Sequence, residues 1–165
     1  MVEALLENRV SIQRTLVVLL FLFSWVRGSG PERASSAILL AMVAVHVVIY
    51  DIIGLTSDYS AFDLPIFAVD AIGLAALLAV ALKANRFYPL VLAAAQLVAF
   101  SSHLVRAMVE PVSSLAFYLL YAMPFWFQIF ILAIGVVRHV NRAALLGEYR
   151  DWRGLLPLSL RSSFG

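Results

Sequence analysis

The stretch FYPLVLAAAQLVAFSSHLVRAMV, residues 87–109, decides the fold class. It is long enough to cross the hydrocarbon core of a bilayer, which takes about 20 residues of helix. Within it Gln96, His103 and Arg106 recur at helical spacing, which places them on one face. Polar and charged groups in a bilayer are costly and usually face a protein interior or a water-filled cavity. The stretch therefore predicts a transmembrane helix with a polar inner face.

The composition of the whole chain supports this prediction. Of its 165 residues, 63% are hydrophobic and only 13% are charged, whereas about a quarter of the residues of a soluble domain are charged. A soluble fold of this size would lack the polar residues to cover its surface. Cysteine is absent, which excludes disulfides and cysteine-based metal sites.

Three other apolar stretches predict further transmembrane helices. The four predicted spans are residues 34–55, 62–82, 87–109 and 112–137, which together form a membrane domain over 34–138. Pro124 is expected to kink the fourth span, because its ring removes a backbone hydrogen bond. The predicted fold is thus an all-α integral membrane protein built as a four-transmembrane-helix bundle.

The two ends of the chain are predicted to lie at the membrane surface. Residues 1–27 have apolar and polar side chains on opposite sides of a helical wheel, which indicates an amphipathic N-terminal helix, partly embedded. The continuous apolar run covers only residues 16–26, which is shorter than the stretch that a full span needs. A short true span is the alternative. Residues 139–165 alternate arginines with apolar residues, which predicts an interfacial C-terminal tail or, alternatively, a docking tail.

The basic residues predict how the spans are oriented. If four spans alternate, nine of the twelve lysines and arginines fall on one side of the membrane: Arg27, Arg33, Lys83, Arg86, Arg138, Arg142, Arg150, Arg153 and Arg161. Basic loops favour the cytoplasmic side. We therefore expect a bacterial inner-membrane protein with a cytoplasmic C-terminus.

Each predicted span gathers its hydrogen-bonding side chains on one face. The predicted intramembrane polar network consists of Asp51, Asp63, Asp70, Gln96, His103 and Arg106. An arginine in a bilayer needs a carboxylate partner. We expect Arg106 to pair with Asp70, with Asp51 as the second choice.

Small residues recur every fourth position on two of the predicted spans. Ala71, Ala75 and Ala79 form such a series on the second span, and Ala95 and Ala99 form one on the third. Small residues let helix backbones approach closely in membranes. The series on the second span is therefore expected to pack against a neighbouring helix.

Two hypotheses assign chemistry to the polar faces. His46 and His103, with Tyr50 and Gln128, are candidate cofactor-binding residues for a haem, quinone or pigment. Alternatively, Asp70, His103 and Arg106 serve a proton or ion conductor. Interior histidines of helical membrane proteins are, however, more often simply hydrogen-bonded in place. No metal site is predicted.

The leading hypothesis is a non-enzymatic accessory or structural subunit of a larger membrane complex. The chain has no phosphate-binding glycine loop, no HExxH and no GxSxG motif. Its arginines are explained by membrane orientation, which gives no reason to expect nucleic acid as a partner. The expected partners are the lipid bilayer and either other membrane-protein subunits or further copies of this chain.

Overall fold

The computed structural model describes residues 8–55, 63–108, 114–147 and 149–153. In these ranges the chain forms five α-helices and no strand: α1 Arg9–Arg27, α2 Gly30–His46, α3 Leu64–Lys83, α4 Tyr88–Met108 and α5 Ser114–Leu146. A π-helical segment, Val47–Ile52, continues α2. All five helices are long and apolar enough to cross a membrane. The all-helical class is confirmed, and the number of candidate spans is five rather than the predicted four.

The additional candidate span is α1. Its helix begins at Arg9, well before the apolar run that starts at Leu16, and it includes the polar residues Gln13 and Arg14. Arg14 forms an ion pair with Asp51 beyond the end of α2, which offsets the cost of its charge. Val17 and Ser24 are buried against the neighbouring helices. The length and composition of α1 are thus compatible with the short-span alternative for the N-terminal region.

The helices pack in chain order. Each contacts the next one, and α5 also contacts both α1 and α2. The buried apolar side chains at the centre include one leucine from each of α2, α3, α4 and α5, namely Leu39, Leu77, Leu92 and Leu132, all with 0% exposure. This leucine layer, as we call it, ties four helices into one core.

Capping residues set where two of the helices begin. Asp63 precedes α3, and its carboxylate accepts from the Ile66 amide at 3.2 Å. At α2, the Ser29 amide donates to Glu32 at 3.2 Å, and the Ser29 hydroxyl lies 2.8 Å from the same oxygen. Both contacts satisfy groups that a helix start leaves without intrahelical partners. Asp63 therefore caps the predicted second span instead of lying within it.

The C-terminal end of the last helix differs from the prediction. Residues 139–146, expected in a surface tail, belong to α5, which passes through Pro124 without a break. Gly147 then adopts a φ of +72°, a left-handed conformation that favours glycine at a helix end. Past this turn the chain folds back, since the Asn85 amide donates to Asp151 O at 2.9 Å and the Arg153 amide to Lys83 O at 2.7 Å. The rest of the predicted tail, 154–165, lies outside the described residues.

Candidate functional site

A buried hydrogen-bond network, which we call the Asp70 network, joins three helices in the interior. Nε2 of His103 on α4 lies 2.8 Å from Oδ2 of Asp70 on α3. Gln96, about two turns before His103 on its helix, donates from Nε2 to Asp70 Oδ1 at 2.8 Å. Because a carboxylate oxygen accepts, His103 donates from Nε2. Both oxygens of Asp70 are thus bound by side chains of α4.

The Asp70 network continues to α5 through Gln128. Its Nε2 donates to Gln96 Oε1 at 2.9 Å and to the Leu92 carbonyl at 3.1 Å. Gln96 is 1% exposed and Gln128 is 0% exposed, so neither amide is solvated from outside. Buried polar groups specify one packing arrangement when they are satisfied by each other. The network therefore fixes how α3, α4 and α5 are aligned.

A cavity of about 120 Å³ adjoins the Asp70 network. Asp70, Gln96 and His46 contribute polar groups to its lining, and Arg14 of α1 also lines it. His46 packs against Tyr50 with ring centroids 4.6 Å apart. The Tyr50 hydroxyl in turn donates to the Asp63 carboxylate, at 2.7 and 2.8 Å from its two oxygens. Most of the polar residues predicted from the sequence thus lie around one end of the protein.

Comparisons with known proteins assign no family. The chain matches no protein family model, and neither functionally described proteins nor solved structures give a match. A functional assignment must therefore come from the chemistry of the residues themselves.

The candidate cofactor residues are divided between the Asp70 network, which contains His103 and Gln128, and a second group around Tyr50. His103 binds Asp70 through Nε2, Gln128 binds Gln96, and Tyr50 binds Asp63. Only His46 lines the cavity directly while stacking on Tyr50. Pockets for organic ligands usually measure about 300–1,000 Å³, several times the volume of this cavity. The hypothesis of a haem, quinone or pigment between His46 and His103 gains no support from this geometry.

The predicted arginine pairing differs from the observed one. Asp70 binds His103 and Gln96 instead of Arg106, and Asp51 binds Arg14 of α1. Arg106 lies half-buried toward the end of α4. The acidic groups are thus satisfied by partners that sequence spacing did not single out. Within the described residues, His, Asp and Glu form no group of three that could hold a metal ion.

A second buried network lies at the opposite end of the helices, where the sequence predicted only loops. Glu32 of α2 forms an ion pair with Arg86, and their side chains are 0% and 8% exposed. Nη2 of Arg86 also contacts Asp151 Oδ1 and Ser29 Oγ, both at 2.7 Å. This Arg86 network holds together the start of α2, the α3–α4 turn and the returning segment after α5. Its sequence signal is the capping box, since Ser29 is followed by glutamate three residues later.

The leucine layer separates the two networks. On each of the helices α2 to α5, the leucine lies in sequence between the residues near one network and the residues near the other. On α4, for example, Leu92 lies between Arg86 and Gln96. These leucines are fully buried and pack on each other in the core. An apolar layer offers no hydrogen-bonding groups to carry a proton. Toward the Arg86 network, the hydrogen bonds of the Asp70 network reach the Leu92 carbonyl.

Proposed function

We propose that this protein is a non-enzymatic subunit of a larger membrane complex and that α3 is the helix against which its partner packs. The observation that carries the proposal is the placement of small residues on the outer surface of α3. Ala68, Ala75 and Ala79 are all exposed on this helix. Ile72 and Leu82 lie on the same surface and are also exposed. We call this surface the α3 outer face.

The α3 outer face suits a helix more than lipid chains. Residues 68, 72, 75, 79 and 82 follow one another at spacings of three and four, which forms a continuous stripe. Ala75 and Ala79 leave a shallow groove in which another helix backbone can approach closely. Inside the protein α3 contacts α2 and α4 through its other faces. Ala75 and Ala79 belong to the small-residue series that was predicted to contact a neighbouring helix. Both are exposed, so no helix among the described residues of this chain covers them.

The interior supports a structural role. Gln96 links Asp70 to Gln128, and Glu32 binds Arg86, so the two buried carboxylates of the described residues have partners within the chain. The arrangement fits a scaffold whose outer surface is its means of interaction. The proposed partner is a transmembrane helix of another membrane protein.

The proposed location is the bacterial inner membrane, with the Arg86 network on the cytoplasmic side. Arg27 at the end of α1, Lys83 at the end of α3 and Arg142 near the end of α5 would then share one side, as basic residues prefer. With α1 as a fifth span, the N-terminus lies on the opposite side. There the charge of Arg14 is paired with Asp51.

Site-directed cross-linking tests the proposal, because the chain contains no cysteine of its own. We expect Ala75→Cys, labelled with a thiol-attached photo-cross-linker in native membranes, to give a discrete product with a different membrane protein. The matched control is Ala44→Cys, an exposed alanine on α2, which should give no such product. Ala75→Trp should also prevent the partner from co-purifying in mild detergent, whereas Ala44→Trp should not.

Three results would argue against this function. Equal cross-linking from both positions would show that the α3 outer face has no special role. A product of twice the mass of this chain would identify a homo-oligomer instead of a heteromeric subunit. If the protein purifies in mild detergent as a single monodisperse species without any other protein, the proposed function is wrong.

A further inference from the structure

A groove lies between α4 and α5, close to the Arg86 network. It encloses about 790 Å³, and its lining includes the polar residues Arg138, Arg142 and Tyr149 and the apolar residues Val91 and Ile134. Among the described residues that line it, three are arginines and none is acidic. We call it the basic groove.

The arginines of the basic groove are arranged to receive an anion. The Arg142 guanidinium lies 4.5 Å from the centre of the Tyr149 ring, and Arg86 lies 5.0 Å from the same ring. Tyr149 is held by His139, whose Nδ1 is 2.7 Å from its hydroxyl. Burial raises the pKa of Tyr149, which keeps its hydroxyl neutral. The tyrosine thus positions Arg142 without neutralising its charge.

Among the described residues, carboxylates balance the charge of Arg86 but not that of the other two arginines of the basic groove. Glu32 and Asp151 are both bound to Arg86. Arg138 and Arg142, one helical turn apart, form no ion pair with any acidic residue that the structure describes. Like charges four residues apart on a helix repel each other, and a phosphate group between two guanidinium groups removes that repulsion.

The basic groove continues into an apolar one. Val91 lines both the basic groove and an adjoining groove of about 530 Å³, which we call the apolar groove. The apolar groove runs along α4 and α5 past Ala94, Val98, Met123 and Phe127. Its described lining consists only of apolar residues. Exposed Phe87 and Leu145 flank the charged end. The combined groove is therefore charged at the membrane surface and apolar toward the membrane interior.

We propose that this combined groove binds an acidic phospholipid. Arg138 and Arg142 hold the phosphate of the head group, and an acyl chain lies along Val91, Ala94 and Met123. A free phosphate ion would use only the charged end and would leave the apolar groove without a role. The anionic surface of a membrane supplies such lipids beside basic residues. This site is formed by α4, α5 and the segments beside them, not by the α3 outer face. It therefore does not depend on the partner proposed for α3.

Native mass spectrometry of the full-length protein in detergent tests the inference, with phosphatidylglycerol and phosphatidylcholine as probes. We expect phosphatidylglycerol to be retained in preference to phosphatidylcholine. Arg138→Gln with Arg142→Gln should weaken its binding about tenfold or more, since charge-assisted hydrogen bonds to phosphate are lost. The control pair is Arg27→Gln with Arg33→Gln, which removes two exposed arginines outside the groove and should have no such effect.

A second variant tests the acyl-chain part of the site. Ala94→Trp fills the apolar groove without touching the arginines and should also weaken binding of phosphatidylglycerol. Equal retention of the two lipids, or equal losses in both arginine pairs, would overturn the proposal. Unchanged binding in Ala94→Trp together with displacement by millimolar inorganic phosphate would identify a phosphate site instead of a lipid site. Displacement by a soluble acidic peptide in the wild-type protein would identify a protein-binding surface.

Discussion

Arg86→Leu is expected to lower the free energy of unfolding by about 3–5 kcal/mol, the cost of breaking a buried ion pair. Arg86 is the shared partner of Glu32, Asp151 and Ser29. Its removal leaves the fully buried Glu32 carboxylate without its cation, and it removes the side-chain contact between Asp151 and the α3–α4 turn. Reversible unfolding in mixed detergent micelles measures the change.

Two comparisons separate the ion pair from a general effect of losing an arginine. Arg27→Leu removes an exposed arginine at the same end of the helices and should change stability by less than about 1 kcal/mol. Combining Arg86→Leu with Glu32→Leu should recover part of the loss, because no charge is then buried alone. Two results would show that the Arg86 network does not hold the helix ends together. Either Arg27→Leu and Arg86→Leu lower the free energy of unfolding equally, or Glu32→Leu lowers it further when added to Arg86→Leu.

The second large effect is expected for His103→Leu, about 2–3 kcal/mol, because a buried carboxylate loses one of its hydrogen-bond donors. The substitution removes the donor to Asp70 Oδ2 and leaves a buried carboxylate with Gln96 as its remaining side-chain partner in the network. His46→Leu is the matched control, since His46 lies at the cavity and is only partly buried. We expect the control to have a clearly smaller effect on the unfolding midpoint.

A double-mutant cycle identifies the interaction. His103→Leu together with Asp70→Leu should be more stable than His103→Leu alone, because the unpaired charge is gone. Gln96 keeps an acceptor in the double variant, since its Nε2 also lies 3.3 Å from the Asp70 carbonyl. Strict additivity of the two substitutions would show that the Asp70–His103 contact contributes nothing to folding.

Helical spacing predicted much of the interior but not how its members pair. The 3.6-residue period places Gln96 and His103 on the inner face of α4, and the structure brings both to Asp70. The same spacing does not give the rotation of one helix against another. The choice between His103 and Arg106 as the partner of Asp70 depends on that rotation, so it could not be predicted.

The contacts at the helix ends were harder to predict than those in the spans. The Arg14–Asp51 and Glu32–Arg86 pairs join residues 37 and 54 positions apart, on elements whose relative placement depends on tertiary packing. Arg14 also obscured α1, because a charge inside an apolar stretch argues against a span unless its partner is known. The capping box at Ser29 was the one local signal, and it locates a helix start but not the arginine bound to it.

We propose that the Asp70 network aligns helices and that the leucine layer closes it off, so that the protein serves as a docking subunit and not as a conductor. Proton flux into liposomes containing the purified protein, driven by a potassium diffusion potential and followed with an internal pH-sensitive dye, tests this most directly. We predict that wild-type protein gives no more flux than empty liposomes, and that Asp70→Asn leaves this unchanged. Flux above that of empty liposomes that Asp70→Asn abolishes, and the control Asp151→Asn retains, would contradict the claim.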